Sequence, residues 1–189
     1  MGRLRRYDAK AATGALPAVP LDPIQKYVQS PKRLDAVART GLLDTPPEPS
    51  LDDLTRRAAE LLGVPATFIS LVDRDRDFYK SHFGFGEPLN SVRQLEGRTF
   101  CHYAIASEGP LVIDDTHRDP VYRNVPTVTT LGVRSYLGVP LRLEDGEVIG
   151  SFCAIDFEPR IWSERDIETM RDLAQSTLRE IRQRMRTGS

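Results

Sequence analysis

Apolar residues are densest between Val133 and Asp156, where two runs of strand length flank the dipeptide Asp145-Gly146. An Asp-Gly step between apolar runs predicts a β-hairpin, because glycine supplies the positive φ that a tight hairpin turn requires. Both runs are apolar on both faces of the pleat, which is typical of strands that lie inside a sheet covered on each side. We therefore predict a central hairpin with helices on one face and a second layer on the other.

Strict alternation along the two runs predicts which side chains share a face of the hairpin. In the first run, one face is aliphatic and holds Val133, Leu137, Val139, Leu141 and Leu143. The opposite face of that run holds Tyr136, Gly138 and Pro140. In the second run, one face is predicted to hold Val148, Phe152 and Ala154, and the other face Ile149, Cys153 and Ile155.

Capping residues and hydrophobic spacing predict further elements on both sides of the hairpin. Helices are predicted from Asp22, from Ser30 to Gly41, from Ser50 to Gly63, from Thr99 to about Ser107, and from Ser163 nearly to the end. Strands are predicted over residues 65–73, 77–83 and 111–113. This order of elements predicts an α+β fold with an antiparallel sheet.

The helix that begins after Ser163 is predicted to be longer than the sheet on which it packs. Its apolar residues recur at a spacing of three and four from Ile167 to Met185. A helix of about 24 residues is about 36 Å long, whereas a sheet of ordinary strands measures about 17–20 Å along the strands. The overhanging apolar stripe predicts a partner helix, and hence a homodimer through the terminal helices.

Composition narrows the class of protein. The chain has 189 residues, a net charge of −1 and two cysteines. The charge balance gives no reason to expect a nucleic-acid partner, no apolar run approaches the roughly 18 residues of a membrane span, and sparse cysteines are typical of a reducing cytoplasm. We expect residues 1–21 to be a mobile arm and residues 22–187 to be one domain.

Cys101-His102 is the sequence's main candidate for chemistry, because it follows Thr99 at the start of a predicted helix. A helix N-terminus and an adjacent imidazole can acidify a thiol, which would permit redox or covalent chemistry. The alternative is a buried cysteine that only packs. Cys153 lies in a predicted central strand and is interpreted as core, which leaves Cys101 without a resolving partner.

Other candidate sites are weaker. Asp73, Asp75 and Asp77 are spaced like the start of a calcium loop, but Phe78 stands where glycine is required, which favours a hairpin turn. The acidic loop from Asp114 to Asp119 is either a divalent-ion site or a polar loop tip. Because no phosphate loop, nucleophile elbow or clustered histidines are present, we predict a protein without catalytic activity of its own.

From about Lys32 to Met185 the sequence resembles the GAF domain family, the small-molecule-sensing module of bacterial signalling proteins. The stretches that carry this resemblance are residues 42–46, 69–73, 76–81, 98–101, 104–105, 111–115, 136–141 and 149–156. The resemblance implies an antiparallel sheet with terminal helices packed on one face and a loop-enclosed pocket on the other. It also implies a possible signalling-protein partner, although the chain is expected to be a stand-alone copy.

The same resemblance implies where a ligand would bind. The expected ligand-binding residues are Phe78, Lys80, Arg98, Phe100, Cys101, His102, Tyr103, Asp115, Arg134 and Tyr136. No metal ligand is expected and no cofactor is identified. The floor of this pocket, which carries Arg134, Tyr136 and Gly138, suggests a polar or anionic ligand.

We therefore expect a small-molecule-binding or redox-responsive sensory module in the cytoplasm. One alternative is a thiol-dependent reductase or peroxidase that uses Cys101, although the free methionine sulfoxide reductases of this fold use several cysteines. Another is a tetrapyrrole-binding photosensor or gas sensor, although residues 116–135 lack the cysteine that bilin-binding members usually carry there. The signature of the cyclic-nucleotide-binding members is missing.

Overall fold

The computed structural model describes residues 22–187. Its helices are α1 (Pro23–Val28), α2 (Pro31–Arg39), α3 (Pro49–Leu62), α4 (Leu89–Val92), α5 (Phe100–Ala106), α6 (Pro126–Thr129) and α7 (Glu164–Thr187). Its strands are β1 (Ala66–Val72), β2 (Arg76–Phe83), β3 (Gln94–Glu96), β4 (Leu111–Ile113), β5 (Ser135–Arg142) and β6 (Val148–Asp156). The expectation of a mobile arm over residues 1–21 lies outside the described residues.

The six strands form one antiparallel sheet in the order β3-β2-β1-β6-β5-β4. The α+β fold with a central antiparallel sheet is confirmed. The central hairpin is β5–β6, and it turns through Gly146 at a φ of +88°. Its strands are buried almost throughout because the sheet is covered on both faces.

The core divides into two clusters, one on each face of the sheet. The helix-side cluster packs α2, α3 and α7 against residues such as Ile69, Leu137 and Phe152. We call the opposite cluster the chamber-side cluster, because a cavity lies on that face of the sheet. It packs α5 and the long loops against Phe68, Tyr136 and Ile155. Val28 at the end of α1 belongs to the chamber-side cluster, so this short helix lies beside α5 rather than with α2.

Two β-bulges, one in β2 and one in β6, change which side chains share a face of the sheet. Each bulge adds one residue to its strand, and this residue reverses the alternation of side chains beyond it. Leu141 pairs with Gly150 and Arg142 pairs with Val148, which leaves Ile149 as the extra residue. Ile149 therefore packs in the helix-side cluster and Val148 in the chamber-side cluster, the reverse of the predicted assignment.

Val133 also lies on the face opposite to the predicted one, in the chamber-side cluster. It precedes β5, which begins at Ser135, so strand alternation does not govern its direction. Its carbonyl oxygen instead accepts a hydrogen bond of 2.9 Å from the Thr116 hydroxyl.

Helix boundaries follow the sequence signals closely. Ser163 and Asp166 form the expected reciprocal capping bonds before α7, at 2.9 and 3.1 Å. The third helix begins at Pro49 with Glu48 as its cap, one residue before the predicted start at Ser50. Within residues 22–187, no helix combines the length and the apolar character that crossing a membrane requires.

A fully buried arginine joins the helices to the sheet. Arg33 in α2 donates to the carbonyl oxygens of Val28 at 2.5 Å, of Val72 at 2.7 Å and of Val148 at 3.4 Å. Burial lowers the pKa of Arg33 to about 10, which leaves the guanidinium charged at neutral pH. Carbonyl oxygens satisfy this buried charge, and they fix the end of α1 against β1 and β6.

Candidate functional site

A cavity of about 230 Å³ lies on the sheet face opposite α2, α3 and α7. We call it the chamber. Its aliphatic lining residues are Ala66, Leu89, Leu95, Leu131, Val133 and Ile155. Its aromatic lining residues are Phe68, Tyr79, Phe85, Phe100, Tyr136 and Phe157. The sequence folds this way because β1, β5 and β6 are apolar on both faces, so one face is left for α5 and the loops to cover.

The aromatic residues form two walls. Phe68, Tyr79 and Phe85 contact one another with ring centroids 5.1 to 5.3 Å apart. On the other wall Phe100 lies 4.9 Å from Tyr136. Edge and tilted contacts at these distances are the favourable geometries for aromatic pairs, so each wall is stabilised by its own packing.

The floor of the chamber depends on Gly138. A Cβ at this position would lie 2.3 Å from the Tyr136 hydroxyl, because the Tyr136 ring extends along the strand over Gly138. The absence of a side chain at residue 138 lets the tyrosine lie flat against the sheet. The prediction that Tyr136 and Gly138 share one face of β5 agrees with this arrangement.

Beneath the chamber, the structure brings the two cysteines together. The Sγ atoms of Cys101 and Cys153 are 3.8 Å apart, and the Tyr136 hydroxyl lies 3.1 Å from the Cys153 sulfur. Burial raises the pKa of the Cys101 thiol well above its usual range, and it does the same for the Tyr136 phenol. The sequence missed this pair because β6 and α5 are separated by about fifty residues.

Cys101 is therefore not acidified as the sequence suggested. Its neighbour His102 accepts a hydrogen bond of 3.1 Å from the Thr99 backbone at Nδ1, which closes a capping box at the start of α5. Burial, followed by the charges of Arg98 and Arg33, lowers the pKa of His102 to about 4. Because the imidazole is neutral and committed to the helix cap, it does not stabilise a thiolate.

A buried carboxyl group anchors the same end of α5. Asp77 in β2 accepts hydrogen bonds from the hydroxyls of Ser70 and Thr99, the latter at 2.9 Å. Burial raises the pKa of Asp77, and these hydrogen bonds oppose the effect. The arrangement fixes Thr99, a lining residue of the chamber, against the sheet.

A second cavity of about 400 Å³ adjoins the chamber and shares Leu95, Thr99, Thr127 and Leu131 with it. We call it the outer recess. Arg98 lines this recess, donates to the Asp22 carboxylate at 2.8 Å and lies over the Tyr103 ring at 5.4 Å. Its charge is already paired within the chain.

Of the expected ligand-binding residues, Phe100, Cys101 and Tyr136 line the chamber, and Arg98 lines the outer recess. Tyr103 packs on Tyr122 with ring centroids 5.2 Å apart. Neither Tyr103 nor His102 is among the residues that line the chamber.

Phe78 and Lys80 lie on the opposite face of the sheet, away from the chamber. Phe78 belongs to the helix-side cluster. Lys80 is the extra residue of the bulge in β2, where Ile69 pairs with Ser81 and Ser70 with Tyr79. Its buried ammonium group donates to Thr45 and Pro46 at 2.6 Å and pairs with Glu48 at 2.7 Å.

Asp115 and Arg134 lie in the loop beside the sheet and outside the chamber lining. Arg134 donates to Asp115 at 3.0 Å, and this bond lowers the pKa of the carboxyl group. Asp114 and Asp119 in the same loop accept hydrogen bonds from backbone amides of Trp162 and Val121. Among residues 22–187, no group of three acidic, histidine or cysteine side chains is placed to hold a metal ion.

Several residues that form the chamber were not anticipated. Phe68 could have been found from the alternation along β1, because every second residue of that strand faces the chamber side. The other unanticipated residues lie in loops, in the short helix α6 or in the three-residue strand β3, where no period indicates a direction; they are Phe85, Leu131, Thr127 and Leu95.

Comparisons with known proteins agree with this architecture. The GAF domain model matches residues 46–181. The chain is 30% identical over 148 residues to cyclic di-GMP phosphodiesterase PA2567 of Pseudomonas aeruginosa, covering 77% of this chain and 24% of that protein. It therefore spans about a quarter of the relative's length.

Solved structures share the fold at low identity. The GAF domain of a phosphoenolpyruvate-protein phosphotransferase from Coxiella burnetii is 19% identical with a TM-score of 0.63, over 88% of this chain and 99% of that one. Free methionine-R-sulfoxide reductase from Neisseria meningitidis is 21% identical with a TM-score of 0.59, over 93% and 99%. The PixJ GAF domain of Thermosynechococcus elongatus is 21% identical with a TM-score of 0.56, over 81% and 89%.

Proposed function

The chain belongs to the GAF domain family, and from this premise we propose that it is a sensory or regulatory module that binds a small molecule in the chamber. The observation that carries the proposal is a mostly apolar cavity on the sheet face opposite the terminal helix α7. Pockets of this character with few polar groups are the usual sites for small ligands. In this role the domain performs no chemistry on its ligand.

Neighbouring residues of β5 and β6 connect the chamber on one face of the sheet with α7 on the other. Tyr136 and Ile155 line the chamber, whereas the adjacent residues Leu137 and Ala154 pack in the helix-side cluster with α7. Leu137 and Ala154 are also direct partners across the hairpin. A ligand that displaces Tyr136 would shift β5 and thereby the surface on which α7 rests, provided that it binds the two arrangements with different affinities.

Native mass spectrometry of the protein purified from its source tests ligand binding directly. We expect an added mass that disappears on denaturation. Gly86 lines the chamber and has open space at its Cβ, so Gly86→Phe should reduce the occupied fraction. Gly109 also has open space but does not line the chamber, which makes Gly109→Phe the matched control. Equal occupancy in both variants would place the ligand elsewhere.

Hydrogen exchange tests whether binding reaches α7. We expect ligand to change the protection of amides between Met170 and Ile181, the buried part of that helix. An occupied chamber with unchanged protection of α7 would contradict the sensory role while leaving ligand binding intact.

A redox response is a second candidate, and the 3.8 Å between the sulfur atoms of Cys101 and Cys153 favours it. Hydrogen peroxide would accept two electrons and two protons from the thiols, forming one S–S bond and two water molecules. The sulfur atoms would have to approach to about 2.05 Å. Burial keeps the Cys101 thiol protonated, so the reaction should be slow at neutral pH and faster at high pH.

Intact mass spectrometry after peroxide treatment distinguishes this candidate. We expect the loss of two hydrogen atoms in the native protein and not in Cys153→Ser. Addition of oxygen to Cys101 without disulfide formation would argue against a paired response.

The homodimer remains a prediction. Most of the apolar stripe of α7 is buried within one chain, from Met170 to Ile181, and Met185 packs against the same cluster. The stripe therefore overhangs less than its length suggested. Analytical ultracentrifugation across a range of concentrations would decide between a monomer and a dimer.

A further inference from the structure

We infer that the chamber takes a small, neutral, ring-containing molecule with a single hydrogen-bonding group, and that Thr127 binds this group. The inference rests on the proposed function, since it names the class of ligand for the same site. Four features of the chamber carry it: size, lining, charge and one unsatisfied hydroxyl.

The volume of the chamber suits a ligand of one or two fused rings. The chamber measures about 230 Å³. A cavity of about 150 Å³ accommodates benzene, whereas drug-sized ligands occupy pockets of about 300–1,000 Å³. A substituted single ring or a compact bicyclic molecule fits between these limits.

The lining favours a flat apolar body. The two aromatic walls, Phe68 with Phe85 and Phe100 with Tyr136, both line the cavity. Ring faces and edges stabilise another aromatic ring by more than the buried area alone. An aliphatic chain would bury similar area without this contribution.

The charge distribution disfavours an anion. Glu87 is the one charged residue among the described residues that line the chamber, and it lies exposed at the mouth. Hydrogen bonds from Asn90 and Ser91 lower the pKa of its carboxyl group, so it is negative at neutral pH. An anionic ligand would lose its hydration beside apolar walls with no cation to replace it.

The positively charged residue of the outer recess does not change this conclusion. Arg98 in the outer recess is bound to Asp22, so a ligand would have to compete with that carboxylate. The sequence-based expectation of a polar or anionic ligand is therefore replaced by a neutral one in this inference.

Thr127 supplies the polar contact. Its hydroxyl group is buried and has no hydrogen-bond partner among residues 22–187, and the residue itself is 8% exposed. A buried polar atom without a partner costs about 1–3 kcal/mol. Thr127 lines both the chamber and the outer recess, so in this inference the ligand supplies the missing donor or acceptor.

Indole and indole-3-carboxylate are the probes, because they share a bicyclic body and the second adds a negatively charged carboxylate group. Binding is measured by calorimetry on the full chain and mapped by methyl NMR of Leu95, Leu131 and Ile155, which line the chamber. We expect indole to bind and to shift these methyl signals. Indole-3-carboxylate should bind at least about 10-fold more weakly.

Two substitutions at Thr127 test the hydrogen bond. Thr127→Val keeps the shape and removes the hydroxyl, so it should weaken indole binding by about 2- to 10-fold. Thr127→Ser keeps the hydroxyl and should retain most of the affinity. Gly86→Phe should abolish the methyl shifts, whereas Gly109→Phe should leave them unchanged.

The outcomes separate this inference from the proposed function. Tighter binding of the carboxylate, or of tetramethylammonium as a cationic probe, would overturn the neutral class while leaving a ligand-binding module. Equal indole affinity in Thr127→Val and the native protein would overturn the role of Thr127. Indole binding without any change in α7 exchange would support the ligand class and contradict the sensory role.

Discussion

Acidification should weaken the fold through His102, because this imidazole is neutral in the folded domain and charged in the unfolded chain. Its Nδ1 accepts the Thr99 amide at 3.1 Å, which requires an unprotonated nitrogen. Burial first, and then the positive charges of Arg98 and Arg33, lower its pKa from 6.5 to about 4. Below pH 6.5 the unfolded chain therefore binds a proton that the folded domain does not.

The sign and size of the effect follow from this difference. A depressed pKa contributes stability that is complete above pH 6.5 and is lost as the pH falls towards 4. Each pKa unit corresponds to about 1.4 kcal/mol, so the loss attributable to His102 is about 3 kcal/mol between pH 7 and pH 4. This is a large part of the stability of an ordinary domain.

Urea denaturation of the native protein and of His102→Gln, each at pH 7 and at pH 4, measures this loss of stability. Glutamine at the third helical position satisfies the same capping box without titrating. The native protein should therefore lose about 3 kcal/mol more than the variant between pH 7 and pH 4. Asp77, whose raised pKa acts in the opposite direction, is common to both proteins and cancels. Parallel pH profiles would refute the reasoning.

Three further substitutions should be measured by urea denaturation. Arg33→Met removes a buried guanidinium from three carbonyl oxygens and should cost about 3 kcal/mol; a change below about 1 kcal/mol would contradict its role. Gly84→Ala places a Cβ 2.0 Å from the Pro65 oxygen at a φ of +83°, and should cost more than about 2 kcal/mol. Gly138→Ala should displace the Tyr136 ring and alter the chamber at a cost of about 1–3 kcal/mol, whereas unchanged stability would mean that the ring yields freely.

Local signals in the sequence were sufficient for most of the fold. The Asp145-Gly146 turn, the Ser163–Asp166 capping box and the apolar spacing of α7 all act within a few residues of one another. Such signals depend on backbone geometry and hydrogen bonds that the neighbouring residues supply. The positions of the elements were therefore predictable without knowledge of their packing.

The faces of the strands were less predictable, because register depends on the partner strand. Lys80 and Ile149 are extra residues opposite β1 and β5, and each reverses the alternation beyond it. Nothing within β2 or β6 indicates where the partner skips a residue. The family resemblance placed Lys80 at the ligand site, whereas in the structure it pairs with Glu48 on the far face.

The inferred character of the ligand differs from the sequence-based expectation for a related reason. Polar residues near the expected pocket suggested a polar ligand, but buried polar groups in a folded chain are mostly satisfied by that chain. Arg134 pairs with Asp115, Arg98 with Asp22, and the Tyr136 hydroxyl lies beside Cys153. The polar atom that has no partner at the chamber wall is therefore the one that gives information about the ligand. Among the described residues lining the chamber that atom is the Thr127 hydroxyl, and for this reason the inferred ligand is a neutral ring with one complementary group.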